Sequence, residues 1–190
     1  GYTSKLNSLA LKNKRISLYG PGWLGEELTA ETQQLYDRAV KELESQGAIV
    51  VTDPFADTEF AEFAKSAGSI GIESIVYDME QYLKRLGPDA AIKSVHELIK
   101  KTGETPSALA KYEEALKNPD AIPDLSKFTE ARTKYLHIFN GVMDQHRLDA
   151  LVFPQMYKET PLLHSEDKIA DTTVPEINIA GVPLVTVPAG

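Results

Sequence analysis

The sequence predicts an α/β fold, a partial mixed sheet with flanking helices and an added helical layer. Three observations carry that expectation. A β-prone segment, an amphipathic helix and a second β-prone segment follow one another between Arg15 and Thr52. Helical periodicity then runs almost unbroken from Asp57 to Arg147. Hydrophobic residues make up 42% and charged residues 25% of the 190-residue chain, a globular balance that provides for a core and argues against extended disorder.

Arg15-Ile-Ser-Leu-Tyr19 is the first β-prone segment, closed by the turn-forming Gly20-Pro21-Gly22. Thr29 opens a capping pattern. Leu35, Ala39, Val40 and Leu43 then recur at helical spacing up to Gly47, a natural residue just past a helix end. Ala48-Ile-Val-Val-Thr52 is rich in β-branched residues, so residues 1–56 read as a βαβ-like unit, with parallel strands and a right-handed crossover.

Residues 57–147 read as a helical layer. Glu59 to Lys65 is helical in pattern. Ile72, Ile75, Val76, Met79, Leu83 and Leu86 share one face of a helix that Gly87-Pro88 terminates. Ala91, Ile92, Val95, Leu98 and Ile99 form the next, closed by Thr102-Gly103, and Pro106 restarts a polar helix toward Asn118-Pro119. Asp124 or Ser126 caps a long helix whose apolar face is Phe128, Tyr135, Ile138, Phe139, Val142 and Met143.

Residues 148–190 read as strand, loop, strand, which completes a single, incomplete domain over 1–190. Ala150-Leu-Val-Phe153 is a short buried strand, and Pro154 to Thr172 is a loop of mixed polarity. In α/β folds ligands sit beyond the carboxyl ends of strands, so Gln155, Met156 and Tyr157 are the candidate substrate-binding residues facing a cleft. Val182 to Val187 reads as a second strand, with Pro183 and Pro188 near its ends where a missing N–H costs least. A sequence that stops in such a strand leads to the expectation that the chain is part of a larger protein.

Charge, cysteine content and motifs exclude several chemistries. A net charge of −8 argues against nucleic acid as a partner, and Lys12-Asn-Lys-Arg15 and Lys100-Lys101 are too short to reverse that. There is no cysteine, hence no disulfide, thiolate metal site or cysteine nucleophile. No apolar run approaches the roughly 18 residues of a membrane span, so a soluble setting is expected, with the cytoplasm favoured. His96, His137, His146 and His164 are far apart and form no His-x-x-x-His pair, so neither a metal nor a cofactor is expected. Ala67-Gly-Ser69-Ile-Gly71 imitates a nucleophile elbow, but a helical pattern precedes it where an elbow needs a strand.

Glu26-Glu27, Glu113-Glu114 and Glu166-Asp167 read as solvated faces. Gly20-Pro-Gly-Trp-Leu-Gly25 lacks the glycine order of a phosphate loop, and Pro21 removes an amide that would cradle phosphate. Trp23, the sole tryptophan, is expected to fix that loop to the core.

Asp149-Ala-Leu-Val-Phe-Pro154, Thr173-Val-Pro-Glu-Ile-Asn-Ile-Ala-Gly-Val-Pro183 and Val185-Thr-Val-Pro-Ala-Gly190 together resemble the carboxy-terminal half of amidase signature enzymes. The resemblance extends upstream through Lys12 to Leu18 and Gly47 to Val51, and through the helical region at Tyr82-Leu83 and Glu97-Leu98-Ile99. It implies an amidase-signature-type fold and a parent enzyme that cleaves carboxamide C–N bonds through a serine acyl-enzyme, with a second serine and a lysine relaying the proton. The Gly/Ser-rich segment that carries those serines has no counterpart here, and no Ser-Ser pair occurs. The expected partners are therefore a small-molecule amide substrate in the parent and the missing amino-terminal portion of the same enzyme. The fragment is expected to be inactive and to supply sheet and pocket walls. Two alternatives stand beside it: part of an amidotransferase A subunit, and a non-catalytic module binding a ligand or a protein.

Overall fold

The computed structural model describes residues 7, 9–23, 27–68, 70–107, 109–165 and 172–188. It contains β1 (Arg15–Leu18), α1 (Ala30–Ser45), β2 (Ile49–Thr52), α2 (Phe60–Ala67), α3 (Ile75–Arg85), α4 (Val95–Thr102), α5 (Glu113–Lys117), α6 (Ser126–His146), β3 (Ala150–Val152) and α7 (Pro175–Ala180). The chain divides into two compact units, residues 1–68 with 131–190, and residues 69–130.

The first unit is built on a three-stranded sheet in the order β2-β1-β3, with both pairings parallel. The βαβ expectation is met: α1 carries the chain from β1 to β2, and Thr29 caps it by accepting the amide of Thr32. β1 lies between two neighbours, so Ile16, Ser17 and Leu18 are buried. Aromatic rings fill the core beside it. Trp23 is 1% exposed and meets Phe55 edge-on at 5.0 Å between centroids, Phe60 at 4.4 Å and Phe153 in a stacked arrangement at 5.9 Å. Tyr135 of α6 closes the cluster against Phe60.

The second unit is helical, with Val76, Val95 and Leu109 at its centre and Met79, Leu83, Ile99 and Leu116 packed around them. Its α3 and α4 are joined by a buried charge. Glu80 is 4% exposed, and one carboxylate oxygen accepts the amide of Val95 at 2.7 Å while the other lies 3.3 Å from the Lys84 ammonium. Partnering both oxygens makes a carboxylate in this core tenable. Ser94 accepts the amide of Glu97, and the Glu97 carboxylate accepts that of Lys93, which closes the first turn of α4.

Two local expectations need correction, and one element was not foreseen. Val182 to Val187 forms no strand: the segment is non-helical and largely exposed, with Val185 83% and Val187 70% accessible. β-propensity requires a neighbouring strand to satisfy it, and among the described residues this segment has none. The polar helix expected from Pro106 is instead a single 3-10 turn, Ala110–Tyr112, running into the five-residue α5. The segment between Thr173 and Gly181, to which the sequence reading assigned no element, contains α7, which begins on Pro175 and is capped by Gly181 in the left-handed conformation. No described helix is long and apolar enough to cross a membrane.

Candidate functional site

Parallel pairing brings the carboxyl ends of all three strands to one edge, with Leu18 opposite both Thr52 and Val152. The segments leaving those ends, Tyr19–Trp23, Asp53–Phe55 and Phe153–Tyr157, therefore meet.

Glycine is required where the first two meet. A methyl group on Gly22 would stand 2.2 Å from the Ala56 nitrogen and 2.3 Å from the Phe55 carbonyl carbon. The Gly22 amide donates to Asp53 Oδ2 at 3.0 Å. Asp53 itself has φ 39°, and its other oxygen, Oδ1, is buried with no hydrogen-bond partner among the described residues. A left-handed aspartate with an unsatisfied oxygen is a local cost that the surrounding turn sustains.

Tyr36 of α1 ties the other side. Its hydroxyl accepts the Tyr19 amide at 2.7 Å and donates to the Val152 carbonyl at 2.9 Å. Burial pushes this phenol well above the usual tyrosine range. Beside it lies a cavity of about 290 Å³ lined by Tyr19, Gly20, Pro21, Glu27, Leu28, Gln33 and Tyr36.

The three residues expected to face a cleft lie on the segment that leaves β3. Gln155 is exposed, and its carbonyl accepts the Thr173 amide at 3.1 Å. Met156 is half-buried and forms an antiparallel bridge with Thr172. Tyr157 is half-buried, and its carbonyl accepts the Thr29 amide at 2.9 Å, next to the Thr29 hydroxyl's bond to Glu159. The backbone of this segment is thus fastened on both sides.

Thr173 is the fastening point, and sequence reasoning missed it. It is fully buried, its hydroxyl donates to the Pro154 carbonyl, and its own carbonyl accepts the Trp23 indole N–H at 3.0 Å. The expected role of Trp23, fixing its loop to the core, is met. Three residues on, Glu176 faces inward with Ile177 and Ala180, only 6% exposed, and its Oε2 has no hydrogen-bond partner among the described residues. Burial raises its pKa, and burial followed by the Glu176 charge pushes Tyr135 up to about 12. Asp53 and Tyr36 were missed as well. Only α7 had a sequence signal, a proline at the first helical position with a glycine past the end.

The dismissed motifs fall into place around this. α2 precedes Ser69, as expected for a helix-to-helix turn, while Ser69 itself lies outside the described residues. Glu113 and Glu114 are exposed; Glu26, Glu166 and Asp167 lie outside the described residues. Among the described residues no three His, Cys, Asp or Glu side chains come together as a metal site.

Solved structures share this fold. The native peptide amidase of Stenotrophomonas maltophilia matches with a TM-score of 0.60 over 95% of this chain at 23% identity. A peptide amidase in complex with the competitive inhibitor chymostatin gives the same values. A bacterial aryl acylamidase of the amidase signature family matches with a TM-score of 0.56 at 22% identity, again over 95% of this chain. The chain spans 37% of the length of each of these enzymes. No family model matches the sequence, and no curated protein matches it.

Proposed function

We propose that this chain is part of an amidase-like hydrolase whose nucleophile lies on polypeptide outside these residues. The observation that carries the reading is the agreement of two likenesses: the sequence from Asp149 to Gly190 resembles amidase signature enzymes, and the fold matches amidases over 95% of the chain but only 37% of theirs. In the proposed reaction a serine of the missing portion attacks the carboxamide carbon. The C–N bond breaks, the amine leaves with the proton relayed from that serine, and water then hydrolyses the acyl-enzyme. The parts contributed here are sheet, core and pocket wall. Gln155, Met156 and Tyr157 are proposed to line the substrate side, because their segment leaves the carboxyl end of β3 and is held in place through Thr173 and Thr29.

The exposed Val182 to Val187 segment supports the same reading. Its β-prone residues are accessible here, as expected of a strand whose neighbour comes from further polypeptide. The test is an amidase assay with carboxamide substrates on this chain alone and on the chain extended by its parental amino-terminal sequence. Turnover is expected only from the extended protein. Turnover by the isolated chain, or a parental reading frame without a Gly/Ser-rich serine segment and lysine, overturns the proposal.

A further inference from the structure

The mechanism outlined above leaves one deeply buried ionisable side chain without a task. Glu176 occupies a core position on α7, between Pro175 and Ile177, with a buried carboxyl oxygen that has no hydrogen-bond partner among the described residues. Burial of this carboxyl outweighs the bond it accepts from its own backbone amide, so the group is favoured as the neutral acid and opposed as the anion, since removing a charge from water costs far more than removing a neutral carboxyl.

The position of α7 gives that preference a consequence. The helix has only six residues, too short to hold itself together, so its inward face must keep it on the core. Its amino-terminal end continues directly from Thr173, which binds the Pro154 and Gln155 carbonyls and the Trp23 indole. Its carboxyl end, Gly181, lies against the guanidinium of Arg132 from α6. Tyr135, also of α6, is the described residue whose titration is tied to Glu176, and its own ionisation lies too high to compete near neutral pH.

We propose that Glu176 is a positioning residue: its neutral carboxyl seats α7 on α6, and through Thr173 this fixes the segment Pro154–Tyr157, so that ionisation releases that segment. The functional meaning rests on those residues forming the pocket wall; the latch itself does not. The pKa direction supports the sign. A carboxyl raised in the folded state favours the seated form below the ordinary glutamate range, and this advantage is lost as pH rises through the raised value.

Trp23 is a built-in reporter, being the sole tryptophan and hydrogen-bonded to Thr173. On raising pH from about 4 to about 9, well below the Tyr135 ionisation, the wild-type chain should show a red shift of tryptophan emission as the indole becomes wet. Glu176→Gln keeps the shape without the charge and should abolish the shift, holding the low-pH emission throughout. Tyr135→Phe should retain it. A carboxyl-carbon NMR titration of Glu-labelled wild type gives the second measurement, with one glutamate expected to titrate above the others and in step with the emission change. No emission change in wild type, an unchanged one in Glu176→Gln, or glutamates that all titrate in the ordinary range overturns the latch. These readouts need no catalysis, so an amidase assay that fails on the extended protein leaves them intact.

Discussion

The hydroxyl of Tyr36 donates to the carbonyl of Val152 at 2.9 Å, linking the crossover helix to the end of a strand 116 residues later in the chain. The same oxygen accepts the Tyr19 amide at 2.7 Å, so one buried phenol spans the carboxyl ends of β1 and β3. Tyr36→Phe keeps the ring packing and removes both bonds. The Tyr19 amide retains a second acceptor in Val152 O at 3.2 Å, so the loss falls mainly on the carbonyl. Destabilisation by about 1–2 kcal/mol is expected, read as a lower urea midpoint at unchanged m-value.

Gly22 and Gly141 make a matched pair. A methyl group on Gly22 would overlap the backbone of Phe55 and Ala56, which has no side-chain torsion to turn away. Gly22→Ala should therefore destabilise by about 3 kcal/mol or more, or prevent folding. Gly141, inside α6 and exposed, has nothing within 4 Å of its would-be Cβ. Gly141→Ala should stabilise by about 0.5–1 kcal/mol. Thermal unfolding of the two variants beside wild type checks both signs.

Much of the frame was legible in the sequence because local pattern and tertiary environment agree there. The β1-α1-β2 unit has a cap at Thr29, an apolar face and a closing Gly47, and nothing long-range overrides them. Val182 to Val187 shows the converse, since β-branched residues specify a strand only where a partner is present. The site was legible only in location. Gln155 to Tyr157 could be placed after a strand end, but their fastening depends on Thr173 and Thr29, 18 and 126 residues from Gln155 along the chain. Such contacts leave no periodicity to read. Asp53 and Glu176 were hidden for a similar reason, because sequence shows that a residue is acidic but not that one of its oxygens is buried without a partner.

Asp149 sets part of the acid limb of stability. Its carboxylate accepts the Arg15 amide at 2.9 Å and pairs with the Lys14 ammonium at 2.7 Å, and the Lys14 bond first, then the Arg15 amide, hold it below the usual carboxylate range. A depressed native pKa means stability that is present above the ordinary aspartate value and lost as pH falls through the native one. Asp149→Asn should lower the thermal midpoint at neutral pH, and the gap to wild type should close on acidification below about pH 4. A gap that stays constant across that range contradicts the assignment.

Val185 and Val187 present accessible β-branched side chains on a segment that belongs to no helix or strand and is not paired in the sheet. A charge on such a segment opposes pairing with another chain without touching a packed contact. Val185→Lys should leave the unfolding midpoint of this chain within about 0.5 kcal/mol of wild type while lowering any self-association seen by sedimentation or light scattering. In the extended protein the same substitution should be costly, because there the segment is proposed to be a strand with a neighbour. The contrast between the two backgrounds is the measurement: a lysine equally harmless in both would mean that the segment pairs with nothing in the larger protein.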